Sequence, residues 1–172
     1  MKKIIIILIL FLGSITNINA EIKRIIFGNK NAKITIIAYE SLTCSHCADF
    51  HKDIYPKLKK EYIDTGLAKI EFRHFPLDIA AFNASKITQC KESQSLEILE
   101  SLYLNQQDWV KGNTIEEINN NLKKFIEKEG YKVDFEKCIN NKKIEDFVLN
   151  DRIEGVKNFK VNATPTIIIN NK

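Results

Sequence analysis

The 172-residue sequence has no apolar run long enough to cross a bilayer, no excess of one charge and only three histidines, and each shortage removes a class of function. Its longest apolar stretch, Ile4 to Leu12, falls well short of the roughly 20 residues that a membrane-spanning helix needs. Lysine and arginine total 26 against 22 acidic residues, a formal net charge of +4. The groups Lys57/Lys59/Lys60, Lys123/Lys124 and Lys142/Lys143 are interleaved with Glu and Asp at helical spacings, so they read as solvated helix faces and nothing asks for nucleic acid. His46 and His51 are the histidines nearest a cysteine pair, and both lie on the same short segment as the thiols, a poor way to close a zinc tetrahedron. No metal and no bound cofactor is expected.

What is present begins with a leader. Met1-Lys2-Lys3, the apolar run and the small and polar residues up to Ala20-Glu21 have the three-part composition of a secretory signal peptide over residues 1–20. No cysteine stands at the junction, which argues against a lipoprotein anchor; an uncleaved signal acting as a membrane tether stays open. Loss of Lys2 and Lys3 takes the net charge from +4 to +2. Residues 21–172 then suit one domain with a full core. All four cysteines, Cys44, Cys47, Cys90 and Cys138, lie in the exported part, where disulfides form and persist.

Cys44-Ser45-His46-Cys47 follows a strand-like run, Ile34 to Tyr39, and precedes an amphipathic segment, 48–63, with Phe50, Ile54, Leu58, Tyr62 and Ile63 at three- and four-residue spacings. The cysteine pair therefore opens a helix. A thiol at such a position faces unpaired backbone N–H groups and the positive end of the helix dipole, which favours the thiolate, the nucleophile of disulfide exchange. Cys44 is the candidate nucleophile and Cys47 the resolving thiol. His46 can add positive charge or a hydrogen bond to the Cys44 thiolate, and a stabilised reduced form makes the disulfide a stronger oxidant. Taken alone, C-x-x-C is also half a zinc site or a structural disulfide; the strand-then-helix context favours redox use. Cys90 and Cys138 form either a second bridge, closing a loop of about fifty residues and contributing on the order of 4 kcal/mol, or two separate buried thiols. The even count and export favour the bridge.

Further along, Ile22 to Phe27 is a candidate minor strand. Lys69 to Phe75 alternates as a second strand, so strand, helix and strand make a βαβ unit with parallel strands and a right-handed crossover. From Pro76 a helical region extends to about Phe159, in segments 78–92, 95–106, 114–129, 134–139 and 142–159, with breaks at Gln107-Asp108, Gly112-Asn113 and Gly130. Thr114-Ile-Glu-Glu117 fits a capping box. Thr166 to Ile169 is a third strand, introduced by Thr164-Pro165.

Three stretches together carry a resemblance: Ser41-Leu-Thr-Cys-Ser-His-Cys-Ala48 with Phe50-His51, Arg73-His-Phe-Pro-Leu-Asp78, and Ala163-Thr-Pro-Thr-Ile-Ile-Ile169. They resemble the DsbA-like branch of the thioredoxin superfamily. The resemblance implies an α/β thioredoxin fold with an inserted helical subdomain at about 78–160. It implies a cis-Pro loop in which Thr164 and Pro165 face Cys44 and receive the substrate backbone. It also implies a periplasmic thiol:disulfide oxidoreductase that introduces disulfides into reduced exported polypeptides and is recycled by a membrane-bound reoxidising partner. A disulfide isomerase or reductase, or a truncated non-catalytic binding or chaperone module, is the alternative. No dimerisation segment is visible, and a monomer is expected.

Three departures from the family pattern stand out. Ser45 occupies a place where relatives often carry proline. The buried acid that many relatives carry six residues before the nucleophile is replaced by Ala38, and Glu40, four before it, is either a displaced proton acceptor for Cys47 or a surface residue at the strand end; the surface position is expected. Thioredoxin-fold proteins continue past the third strand into a hairpin partner and a terminal helix, whereas this sequence stops at Asn170-Asn171-Lys172. A truncated product or a fragment of a longer gene is expected, with the last strand and helix missing.

Overall fold

The computed structural model describes residues 21–172; the signal-peptide reading of 1–20 lies outside the described residues. A four-stranded sheet of β1 (Ile25–Gly28), β2 (Ile34–Glu40), β3 (Ala68–His74) and β4 (Thr166–Ile169) has the order β1-β3-β2-β4. β2 and β3 are parallel, with Ile36 opposite Ile70 and Ala38 opposite Phe72, and β1 and β4 close the two sides antiparallel. β2 is apolar on both faces because both are covered, whereas β3 alternates Ile70 and Phe72 with Lys69, Glu71 and Arg73. Ile36, Ala38, Ile70 and Phe72 join the larger core, while Ile37, Tyr39 and Ile168 join a smaller one with Phe75 and Val161.

Parallel strands need a crossover, supplied by the helical run 45–63. It is not one regular helix. α1 (Ser45–Asp49) and α2 (Tyr55–Leu58) alternate with π-helical turns at Phe50–Ile54 and Lys59–Ile63. Pro56 has no N–H to give to the turn before it, and the backbone widens on both sides. Each widened turn shifts the phase of the apolar stripe, which corrects the face expected from spacing. Phe50, His51, Tyr55 and Ile63 are buried, whereas Ile54 and Tyr62 are exposed.

The helical region comprises α3 (Ile79–Gln89), α4 (Ser95–Leu104), α5 (Gln106–Trp109), α6 (Ile115–Lys128), α7 (Phe135–Ile139) and α8 (Lys142–Phe159). Caps set their starts: Asp78 Oδ1 accepts from Ala81 N–H at 2.7 Å, and Thr114 Oγ1 from Glu117 N–H at 3.2 Å. The Glu117 carboxylate reaches back to Asn113 N–H at 2.7 Å, one residue beyond the capping-box partner. A disulfide joins Cys90 at the end of α3 to Cys138 in α7, with Cα atoms 5.6 Å apart. The break expected at Gln107-Asp108 is instead the helical turn α5, held by the fully buried Trp109.

α8 covers the smaller core. A Cβ on Gly155 would lie 2.8 Å from Tyr39 Cε1, so only glycine lets the helix approach this closely. Beside this contact, buried Asp151 accepts from Arg73 Nη1 at 3.1 Å and from His74 N–H at 3.2 Å, and Arg73 also pairs with Glu71 and Glu154.

Candidate active site

β2 delivers the chain into a tight turn, Cys44 N–H donating to Ser41 O at 3.0 Å, and Cys44 becomes the N-cap of α1. Its carbonyl accepts from Cys47 N–H and Ala48 N–H at 3.1 and 3.2 Å, so the first helical turn begins at the nucleophile candidate itself. Both sulfurs are free thiols; Cys44 is partly exposed and Cys47 fully buried. The Cys44 thiol donates to Thr164 O at 3.3 Å, and the Thr164-Pro165 peptide is cis. Residues 120 apart in sequence thus meet across the site. Burial pushes the Cys47 thiol up, the Ser41 backbone pulls it down, and the nearby charge of Glu40 pushes it up further.

His46 turns outward: its side chain is 81% exposed, with Nδ1 3.8 Å from Asp49 Oδ2. Among the described residues it makes no hydrogen bond to either cysteine. His51, one helical turn and more along the same run, points inward. Its Nε2 lies 2.8 Å from Glu40 Oε2, with both side chains almost fully buried. The surface position expected for Glu40 is therefore corrected: the last residue of β2 points into the core. Tyr103 of α4 stacks on the His51 ring at 4.1 Å and 14°, and Phe72, Tyr55 and Phe50 surround it. Burial raises the Glu40 carboxyl above the usual carboxylate range, opposed by the charge and hydrogen bond of His51 and a hydrogen bond from Tyr103. Among the described residues, Glu40 Oε1 and His51 Nδ1 have no hydrogen-bond partner.

Around the thiols the loops brace one another. Thr43 Oγ1 donates to Asp78 Oδ2 at 2.7 Å, and Leu77 N–H to Ser41 Oγ at 3.3 Å. An apolar groove of about 520 Å³ runs from His46 past Phe50, Ile54 and Pro165 to Ile167 and Ile169. Sequence reasoning missed the inward His51 and the contribution of Tyr103; a histidine seven residues after a cysteine carries no burial signal of its own. Among the described residues no set of three or more His, Cys, Asp or Glu side chains is placed to hold a metal ion.

A helix-opening thiol pair facing a cis-proline loop, on a mixed four-stranded sheet with a helical layer, invites comparison with known proteins. The sequence model of the family described as Thioredoxin matches residues 20–172. The crystal structure of α-DsbA1 from Wolbachia pipientis superposes with a TM-score of 0.77 at 33% identity, covering 85% of this chain and 74% of that one. The chain belongs to the DsbA-like branch of the thioredoxin superfamily. A protein of Rickettsia conorii, provisionally named a protein-disulfide oxidoreductase, is 32% identical over 149 residues, 84% of this chain and 52% of its own length. Disulfide bond formation protein D of Bacillus subtilis is 26% identical over 157 residues, 86% of this chain and 68% of that protein. This DsbA-like chain thus spans about half the length of the rickettsial relatives it matches.

Proposed function

We propose that this DsbA-like chain is an exported thiol:disulfide oxidoreductase that donates its Cys44–Cys47 disulfide to reduced polypeptides. The observation that carries this reading is the half-open Cys44 sulfur at the start of α1, set against a buried Cys47 and the Thr164-Pro165 loop. A substrate thiolate attacks Cys44 Sγ, the Cys44–Cys47 bond breaks, and Cys47 leaves as a thiolate that takes a proton. A second substrate thiol, losing its proton, then attacks the substrate sulfur of the mixed disulfide. The substrate gains one disulfide and the protein becomes a dithiol, a balanced two-electron exchange. Reoxidation reverses the order: Cys44 attacks the disulfide of an oxidised partner, and Cys47 must lose its proton to resolve the mixed disulfide. Glu40, buried close enough for its charge to act on the Cys47 thiol, is the acceptor.

Thr164 and Pro165 would present the backbone against which an extended substrate lies. A membrane-bound oxidant in the periplasm is the partner that this cycle requires. The test is oxidation of a reduced model protein by the oxidised chain. The wild type should form one substrate disulfide per protein disulfide consumed, and Cys44→Ala none. Equal yields would reduce the protein to a binding module. A Cys44–Cys47 potential near the roughly −270 mV of thioredoxin would overturn the oxidant direction in favour of a reductase.

A further inference from the structure

The loop that ends in Cys44 is held from a distance by a side chain of the helical layer. Gln106 Nε2 donates to Leu42 O at 2.8 Å and to Cys44 O at 3.1 Å, across 64 and 62 residues of sequence. The two carbonyls bracket Thr43, the residue before the nucleophile. Leu42 is 1% exposed, and among the described residues no backbone N–H reaches its carbonyl. A buried carbonyl needs a donor, and here the amide is that donor.

The amide is itself anchored. Gln106 opens the single turn α5, whose last residue, Trp109, is fully buried and donates from Nε1 to Leu102 O at 2.9 Å. Asn105, the residue before Gln106, is tied back to α4 by donating from Nδ2 to Ser101 O at 2.9 Å. A primary amide offers two divergent hydrogens on one uncharged nitrogen, which suits two acceptors two residues apart. Those hydrogens are the positive end of the amide dipole, placed beside the peptide group that carries the reactive sulfur.

We propose that Gln106 is a positioning residue for disulfide exchange: it locks the cysteine loop from the helical layer and favours the Cys44 thiolate over the disulfide. The inference rests on the exchange reading above. It makes the helical layer part of the redox device, because any shift of α5 is felt at Leu42 and Cys44.

The experiment uses the full chain with Gln106→Leu, Gln106→Glu and, as a control in the same layer, Asn83→Ala, which removes the 3.1 Å bond from Asn83 to Asn119. Thiolate absorbance is titrated in the reduced proteins, and each is equilibrated with glutathione and melted. Gln106→Leu should move the Cys44 titration to higher pH. It should also displace the glutathione equilibrium about fivefold toward the protein disulfide, the factor that corresponds to one ordinary hydrogen bond. Asn83→Ala should lower the melting temperature and leave the equilibrium at the wild-type value. In Gln106→Glu a carboxylate would face two carbonyls, and protonation in acid would restore one donor, so its gap from wild type should narrow as pH falls. A Gln106→Leu equilibrium equal to wild type overturns the proposal while leaving the exchange reading intact. If Gln106→Leu does not fold, a pH-independent gap, or none, in Gln106→Glu overturns it. A wild type that fails to exchange with glutathione overturns both.

Discussion

Replacing Glu40 by Gln separates the acceptor of the Cys47 proton from everything else the residue does. The amide keeps the size of the carboxylate, and its oxygen can still accept from His51 Nε2, now 2.8 Å from Glu40 Oε2. The variant loses a charge-assisted hydrogen bond and also the cost of a buried carboxylate, so its stability should lie within about 1–2 kcal/mol of wild type. The kinetic effect should be larger. Cys47 is fully buried and its thiol is pushed up by that burial, so it cannot attack a mixed disulfide until something takes its proton. A positioned base contributes roughly 10²–10⁴ in rate; the lower end, about 10², is expected here, since water has little access to a competing path but Glu40 also shares its oxygen with His51. The reduced protein is mixed with oxidised glutathione, quenched by alkylation and resolved by mass. Wild type should show little mixed disulfide, because Cys47 resolves it quickly; Glu40→Gln should accumulate it at Cys44. Resolution rates within twofold at pH 7 would refute the assignment of Glu40 as acceptor.

Two further outcomes follow from groups outside the site. His74 is buried and neutral, lowered to about 4 from its ordinary 6.5 by burial and by Arg73. A base whose folded value is depressed contributes stability above pH 6.5 that is lost as pH falls through 4, here up to about 3 kcal/mol; chemical denaturation of His74→Gln should show a flatter acid limb, and an unchanged limb would contradict this. Breaking the Cys90–Cys138 bridge as Cys90→Ala/Cys138→Ala, across 48 residues of sequence, should cost on the order of 4 kcal/mol by loop entropy. An unaltered denaturation midpoint against the oxidised wild type would contradict that account.

The sequence made legible those parts of the molecule that local pattern controls. β2 and β4 are short apolar runs, α6 has its Thr114 cap, and α8 begins and ends where spacing places it. The cysteine pair at the start of a helix is likewise a local signal. What escaped was set by packing. Gln106-Gln107-Asp108 looks like a loop until Trp109 is seen to be buried beneath it. Glu40 looks like a strand-end surface residue until Tyr103, sixty-three positions later, closes over its histidine partner. The apolar stripe after Cys47 was misphased because the pattern assumes 3.6 residues per turn, and the widened turns around Pro56 do not keep that period.

The thiol of Cys44 rests against the carbonyl of Thr164 only while it carries a proton. In the protonated thiol that oxygen is engaged; once the sulfur is a thiolate or part of a disulfide, this donor is gone. The loop therefore changes what it offers a passing peptide backbone with the proton on its neighbouring sulfur, and the oxidised form, which has a bond to give away, never blocks that carbonyl with a thiol.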